Sequence, residues 1–250
     1  MINFFRKIRQ NMLVQNKFTK YLVYAFGEII LVVIGILIAL SINNWNQNRI
    51  NRNLETQYYK RLLEDVKEEK LILEATINYS NQVIGHAKKA LAIFENSPDA
   101  YPDSVQNLID MYQASQLQDS NSASSTYKEL IASGQINLIQ NEALKTALVR
   151  FYEIEWTEIG VLKLENTYRL NLRGKMPDEI QTEIRSNCDD IYVKSRSNYL
   201  TALPDKCEIN LDPLVAKSVV EELRQDESLK KDLRYLIGNE TSKQNDLQTI

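Results

Sequence analysis

Apolar residues form one continuous run near the start of the chain, from Tyr21 to Ile42, interrupted by Glu28 and Ser41. A helix of this length rises about 33 Å, which exceeds the roughly 30 Å hydrocarbon core of a bilayer. The pattern therefore predicts a transmembrane helix over residues 21–42. The run is longer than the apolar part of a signal peptide, so we expect an uncleaved anchor.

Beyond this run, apolar positions follow helical spacing, which predicts an all-α fold: the transmembrane helix continues into a bundle of about five to seven helices, of which the first is the longest. The first helix is predicted to extend from Trp45 to about Glu95. Its apolar positions follow alternating steps of four and three residues, and we interpret them as the buried side of a bundle helix, because two heptads are too few for a coiled coil. This stripe comprises Leu73, Ile77, Ser80, Ile84, Ala87, Leu91 and Phe94.

Short polar residues and glycines mark the predicted helix ends in the rest of the chain. The predicted N-caps are Asp103, Thr126, Asn141 and Asp212, the first two completed as capping boxes by Gln106 and Glu129. Gly134 is predicted to end a helix. We predict a helical segment and its following loop between the two cysteines, and we expect the polar tail beyond Gly238 to fray.

Charge divides the chain into a basic tail (residues 1–20), the span (21–42) and an acidic domain (43–250). The tail carries five bases and no acid; removing these and Glu28 from the chain's 30 basic and 33 acidic residues leaves 25 and 32, a net charge of −7. The positive-inside rule then predicts a cytoplasmic N-terminus and an exported domain. We interpret the tail as an interfacial helix on an anionic leaflet, rather than a docking site for a cytoplasmic partner. An acidic domain lacks the clustered bases that nucleic-acid binding requires.

The span contains the candidate membrane contacts. An ionisable residue at this depth, Glu28, is a candidate functional residue. Gly27, Gly35 and Ala39 fall near one helix face and permit close approach of another helix, which Glu28 borders. We favour association with a protein partner or a second copy through this face. Two alternatives are a protonated or headgroup-directed Glu28, and a step in an ion path.

Few residues offer catalytic or metal chemistry. His86 is the one histidine, and no cysteine, histidine or acid stands at ligand spacing from it, so we expect neither a metal nor a cofactor, and place His86 at the bundle surface or edge. Cys188 and Cys207 could pair in an oxidising compartment, which would contribute about 3 kcal/mol; the alternative is two buried thiols. Three acids on the helix that Asn141 caps are interpreted as its solvated face: Glu153, Glu155 and Glu158.

Two segments carry a resemblance to a known family. The segments FGEIILVVIGILIALSINNWN (26–46) and TYKELIASGQINLI (126–139) resemble an uncharacterised family of bacterial single-span membrane proteins, a domain of unknown function. The resemblance implies a membrane-anchored helical protein of Gram-negative envelopes, with its exported side in the periplasm. It implies no established activity, ligand or catalytic residue.

These observations leave two functional hypotheses, with an enzyme as a third. The first is a non-enzymatic interaction or scaffold subunit of an envelope complex, anchored in the inner membrane. The second is a periplasmic ligand-sensing module that acts through a partner. A sizeable pocket lined by convergent polar groups would favour sensing, whereas a packed interior with exposed apolar surface would favour partner binding.

Overall fold

A computed structural model describes residues 18–119, 121–154, 164–196 and 198–249 of the chain. The predictions for residues 1–17, Glu155 and Glu158 lie outside these residues. The described residues form eight α-helices, two 3-10 helices and one β-hairpin, so the predicted all-α class is confirmed. The helices are α1 Phe18–Glu95, α2 Ser104–Gln113, α3 Ser125–Ala132, α4 Glu142–Glu153, α5 Thr167–Lys175, α6 Asp178–Cys188, α7 Pro213–Arg224 and α8 Glu227–Gln248. The 3-10 helices are Pro98–Ala100 and Gln135–Leu138, and the strands are β1 Ile191–Lys194 and β2 Tyr199–Ala202.

The chain divides into two compact units, Met1–Tyr58 and Tyr59–Ile250. In the first unit, every side chain from residue 29 to residue 50 is exposed, although residues 29–42 are mostly apolar. Among the described residues, α1 is the one helix long and apolar enough to cross a bilayer.

The second unit buries one main apolar core. Helix α2 packs against α7, α5 packs against α8, and α7 also contacts α8. The largest fully buried side chains of this core are Tyr79, Leu108, Met111, Tyr112, Tyr168, Leu172, Ile184, Leu203, Leu229 and Leu233. Residues far apart in sequence thus share a single interior, which is why the helices need one another for stability.

The buried side of α1 is broader than the predicted stripe and rotated from it. Ser80, Ile84 and Ala87 are buried as predicted. The outer members of the stripe, Leu73, Ile77, Leu91 and Phe94, are only partly buried. The most buried apolar positions of this part of α1 are Tyr79, Val83, Ala87, Ala90 and Ile93. Positions repeated every seven residues drift by about 20° per repeat around a straight helix. The outer members of the predicted stripe therefore lie beside the buried face and not on it.

Local signals predicted most helix ends correctly. The side chain of Asp103 accepts a hydrogen bond from Gln106 N, that of Asn141 from Leu144 N, and that of Asp212 from Leu214 N. Gly134 follows α3 with φ = 68°, in the left-handed region where a side chain costs energy.

Two predictions about secondary structure were wrong. The segment after Cys188 is a hairpin rather than a helix: Ile191 pairs with Ala202, and Lys194 with Tyr199. Its strands have four residues each, too short for alternation to reveal them. The tail beyond Gly238 does not fray, because α8 continues to Gln248.

Leu247 accounts for the continuation of α8. Its side chain is 3% exposed and packs with Ile72 and Ala123 in a small second cluster. One apolar residue near the end of a polar segment is a weak sequence signal, but its burial holds the last turns of α8 in place.

Candidate functional site

Three acidic residues of α1 are buried in the second unit, and we call them the acidic stripe: Asp65, Glu68 and Glu69. They are 4%, 5% and 1% exposed. Their spacing of three and four residues places them on one face of the helix. Since a buried carboxylate is costly unless it accepts hydrogen bonds, the partners of each acid determine its role.

Asp65 caps α3 from another element. Its Oδ2 accepts from Thr126 N at 2.8 Å and from Ser125 Oγ at 3.2 Å, while its Oδ1 lies 3.1 Å from Arg196 Nη1. The predicted capping box at Thr126 is therefore wrong. Thr126 lies inside α3, and Glu129 instead forms an ion pair with Arg61.

Glu69 and Glu68 hold the two neighbouring loops. Glu69 accepts hydrogen bonds from Ser122 Oγ at 3.2 Å and from Ala123 N. Glu68 Oε2 accepts from Ser195 Oγ at 2.7 Å, and its Oε1 is buried with no hydrogen-bond partner among the described residues. The acidic stripe therefore fastens both the start of α3 and the hairpin turn to α1.

A group of arginines surrounds the end of α2. Arg169 Nη1 donates to Ser115 O and Arg173 Nε to Ser115 Oγ, each at 2.7 Å. The guanidinium of Arg173 lies 3.3 Å from the ring centroid of Tyr112. Burial lowers the pKa of Arg173 to about 10, an effect that Tyr112 opposes. Cations at a helix C-terminus offset the partial negative charge of its carbonyl groups, so these arginines stabilise the end of α2.

The base of the hairpin is tied to α1 through a tyrosine. Tyr79 Oη donates to Asp190 Oδ1 at 3.1 Å. Burial raises the pKa of Tyr79 above its usual value, and the neighbouring Asp190 adds to this effect. Burial also raises the pKa of Asp190, against the hydrogen bond from Tyr79. Both ends of the hairpin are therefore anchored to α1 by carboxylates.

His86 has an acidic partner that its sequence neighbours do not show. Its Nδ1 lies 2.6 Å from Asp110 Oδ1 on α2, and Lys89 Nζ lies 3.7 Å from the same oxygen. The histidine side chain is 19% exposed, which places it at the predicted bundle edge. Within the described ranges, no group of three His, Cys, Asp or Glu residues is arranged to hold a metal ion.

The two cysteines form a disulfide in the structure. Their Cα atoms are 5.2 Å apart and 19 residues apart in sequence. Cys188 is the last residue of α6 and is 1% exposed, and its carbonyl accepts a hydrogen bond from Gln113 at 2.8 Å. The bond joins α6 to the loop after β2.

The four candidate contact residues of the span lie together on α1. Gly27, Gly35 and Ala39 are exposed, and Glu28 is partly buried. A Cβ atom built on Gly27 or Gly35 would meet nothing within 4 Å. The role of this face in helix association stays a prediction.

Strand β1 exposes apolar side chains on both of its faces. Ile191, Tyr192 and Val193 are 47%, 61% and 55% exposed. Strand β2 is more enclosed, since Thr201 is buried and Leu200 packs against the cluster around Ile72. The sequence signal that could have revealed the hairpin is the run Ile191–Val193, because β-branched and aromatic residues favour strands.

Among the described residues, the outer edge of β1 has no backbone hydrogen-bond partner. Ser195 N donates to Asn198 O at 2.9 Å, which makes these residues a hydrogen-bonded pair at the turn. Since such pairs alternate along an antiparallel ladder, Val193 bonds to β2, while the N–H and C=O groups of Tyr192 and Lys194 point away from it. No backbone hydrogen bond reaches these groups from another element among the described residues.

Three of the clefts that the described residues form lie on the second unit. The most enclosed has a void of about 50 Å³ and lies between α5, α8 and the segment after α2. It would hold a few water molecules, since a water needs about 10–15 Å³ of such space. Gln118 Oε1 and Asn166 Nδ2, which have no hydrogen-bond partner among the described residues, line it. The other two, of about 240 and 580 Å³, are more open.

Comparison with protein-family models gives a match to a described family. The model of a protein family described as "Family of unknown function (DUF6090)" matches residues 28–187. No curated protein matches the chain, and no solved structure does.

Proposed function

Since the chain belongs to the DUF6090 family of unknown function, we propose a function from its own geometry: a membrane-anchored, non-enzymatic interaction subunit of an envelope complex. In this proposal, residues 21–42 cross the inner membrane of a bacterium, the basic tail is cytoplasmic and residues 43–250 are periplasmic. The partner-binding surface is the exposed strand β1.

Three features support the anchorage. The most apolar part of α1 has none of its residues buried, as expected for a helix that faces lipid and not for the core helix of a soluble protein. The tail before the span carries five bases and no acid, which favours a cytoplasmic location for it. The disulfide fits an oxidising compartment such as the periplasm.

The exposed strand β1 carries the interaction proposal. It presents three large apolar or aromatic side chains and a backbone edge that no other described residue covers with hydrogen bonds, features that mark binding sites for extended chains. Carboxylates at both ends fasten the hairpin to α1. A partner would therefore meet a surface that is already ordered, which lowers the entropic cost of binding.

The structural roles of the polar groups favour a non-enzymatic function. The buried acids of α1 accept hydrogen bonds from loops, and the arginines around Ser115 hold the end of α2. The alternative, ligand sensing, has weaker support. The most enclosed of the three described clefts has a void of about 50 Å³, compared with roughly 300–1,000 Å³ for ordinary small-molecule pockets.

Topology is tested by fusing a reporter enzyme that is active only outside the cytoplasm. A fusion after the last residue, Ile250, should be active, and a fusion at Lys20, before the span, should be inactive. An inactive reporter at Ile250, with the fusion protein present in membranes, would refute the export of the domain.

The interaction surface is tested by chemical crosslinking of membranes that contain the full chain, followed by purification in detergent and identification of the chains crosslinked to it, a second copy included. The double variant Tyr192→Asp, Val193→Asp should lose its bound proteins, because charges would replace the apolar contacts of β1. The control is Leu214→Asp, Val215→Asp on α7, whose side chains are also exposed. Equal recovery of the same proteins with both variants would contradict a role for β1.

A further inference from the structure

We propose that the free edge of β1 binds a second copy of this chain, so that two hairpins join into one four-stranded antiparallel sheet. The inference rests on the proposed anchorage, which would hold the two copies in one membrane. Its basis is the self-complementary pattern of side chains and backbone groups along Ile191–Lys194.

The backbone allows a symmetric pairing. Tyr192 and Lys194 direct their N–H and C=O groups outward, and Val193 lies between them. With Val193 on a twofold axis, Tyr192 of each copy lies opposite Lys194 of the other. Each of these two pairs exchanges two hydrogen bonds, so all the outward groups of both residues are satisfied.

The side chains match in the same register. Each Lys194 ammonium can lie over the Tyr192 ring of the other copy, a favourable cation–π arrangement. On the opposite face, Val193 meets its own counterpart at the closest type of cross-strand pair. A register centred on Lys194 would instead place the two Lys194 charges opposite one another. A register centred on Tyr192 would extend the pairing to Asp190, whose side chain already accepts a hydrogen bond from Tyr79.

The edge lacks most of the features that protect exposed strands. Proteins usually shield such edges with prolines, bulges or several charges. β1 has a single lysine among its four residues, and its first three side chains are exposed and apolar or aromatic. In the proposed dimer, Lys194 contacts the other copy and does not prevent the edges from pairing.

The interface is small, so the dimer depends on both chains being anchored in the same membrane. Two four-residue strands bury far less than the roughly 1,200 Å² typical of a stable complex in solution. Two chains anchored in the same bilayer have a high effective concentration, which permits association through weak contacts. The dimer should therefore form in membranes and dissociate on dilution in detergent.

The test is cysteine crosslinking of the full chain in its native membrane. Both natural cysteines are held in the disulfide, so Val193→Cys adds a single free thiol. On the twofold axis the two Cα atoms would lie about 4.5 Å apart, within the range of a disulfide. Mild oxidation should produce a covalent homodimer. The control for random collision is Leu214→Cys, at a residue 77% exposed on α7.

A matched pair of proline variants tests the backbone edge. Added to Val193→Cys, Tyr192→Pro removes an outward N–H of β1 and leaves the ladder with β2 intact. Tyr199→Pro removes the equivalent N–H from the opposite edge of the hairpin, since Tyr199 pairs with Lys194. We expect crosslinking to fall to the Leu214→Cys level with Tyr192→Pro and to persist with Tyr199→Pro.

Three results would overturn self-association: equal crosslinking of Val193→Cys and Leu214→Cys, crosslinking unaffected by Tyr192→Pro, or a crosslink to a different protein. The topology reporter is measured on the same variants. An active reporter without specific crosslinking refutes the dimer and leaves the anchorage intact, whereas a silent reporter refutes the anchorage.

Discussion

Individual carboxylates have different roles depending on which elements surround them. Asp65 is buried and serves as the cap of a helix 60 residues away, whereas its neighbour Glu64 is exposed and pairs with Lys67. The hydrogen bond with Lys67 lowers the pKa of Glu64. Removing a buried acceptor leaves its donors unsatisfied, while an exposed ion pair is readily replaced by water.

We therefore expect Asp65→Ala to destabilise the chain by about 2 kcal/mol, since it removes the cap of α3 and the partner of Arg196. The matched control Glu64→Ala should leave stability almost unchanged, because water readily replaces its exposed ion pair. Unfolding of the detergent-solubilised full chain, followed by circular dichroism, measures both. Similar midpoints for the two variants would contradict the capping role.

The environment of Asp226 predicts that the stability of the folded chain depends on pH. Hydrogen bonds from Lys175 and Ser228 hold the pKa of Asp226 well below its usual value. The ionised form is favoured in the folded chain, so this stability is present above the unfolded pKa of about 3.9 and is lost as the pH falls below it. Because the pair is partly exposed, the contribution should be about 1 kcal/mol or less.

The variant Asp226→Asn retains an N-cap side chain and removes the charge. Its stability deficit relative to the wild type should be present at pH 6 and shrink below about pH 4. Asp212→Asn is the control, since Asp212 caps α7 and has no ion pair among the described residues. Urea unfolding across this pH range measures the effect, and a constant deficit from pH 6 to pH 3 would contradict it.

At the scale of elements, helix α1 has a long uninterrupted backbone with a glycine in the part that belongs to the second unit. Gly85 is exposed in the middle of this helix, and a Cβ atom there would meet nothing within 4 Å. Glycine lowers helix stability because its unfolded backbone has more freedom. Gly134 lies in an equally open place but has φ = 68°, which only glycine adopts readily.

Consequently, Gly85→Ala should stabilise the chain by roughly 0.8–1 kcal/mol. Gly134→Ala should destabilise it by about 1 kcal/mol, because alanine in the left-handed region is strained. Thermal unfolding of both variants tests the contrast. A loss of stability in Gly85→Ala would show that this position does not behave as an open helical site.

The disulfide acts at the scale of the whole molecule, since it depends on the compartment and constrains the unfolded chain. Replacing either cysteine with alanine should lower the free energy of unfolding by about 3 kcal/mol, as expected for a closed loop of about 20 residues. The double variant should be no less stable than the single ones, because either change breaks the bond. Thiol labelling of denatured, unreduced protein provides the check: two labelled cysteines per chain would contradict pairing.

Sequence patterns predicted the features that depend on neighbouring residues. The apolar span can be predicted from its own composition, because a spanning helix satisfies its backbone hydrogen bonds within its own segment. The caps at Asp103, Asn141 and Asp212 each bond within three residues, so local sequence contains both partners. Gly134 likewise ends α3 through its own backbone preference.

The sequence contains part of the information needed to predict that the acidic stripe is buried. Leu62, Asp65, Glu69 and Ile72 are spaced by three, four and three residues, so the two acids share the helical phase of buried apolar residues. That phase shows that they face inward, but it does not identify Thr126, Ser122 or Arg196 as their partners. The partners lie more than 50 residues away.

The sequence alone determined the all-α class, the apolar span with its charge asymmetry, and the helix ends that are capped locally. Only the tertiary structure decided which face of α1 is buried, that Asp65 caps α3, that His86 meets Asp110, and that β1 has one edge unpaired among the described residues. The physical reason is range: local hydrogen bonds and solvation depend on adjacent residues, whereas burial and pairing depend on segments that only folding brings together.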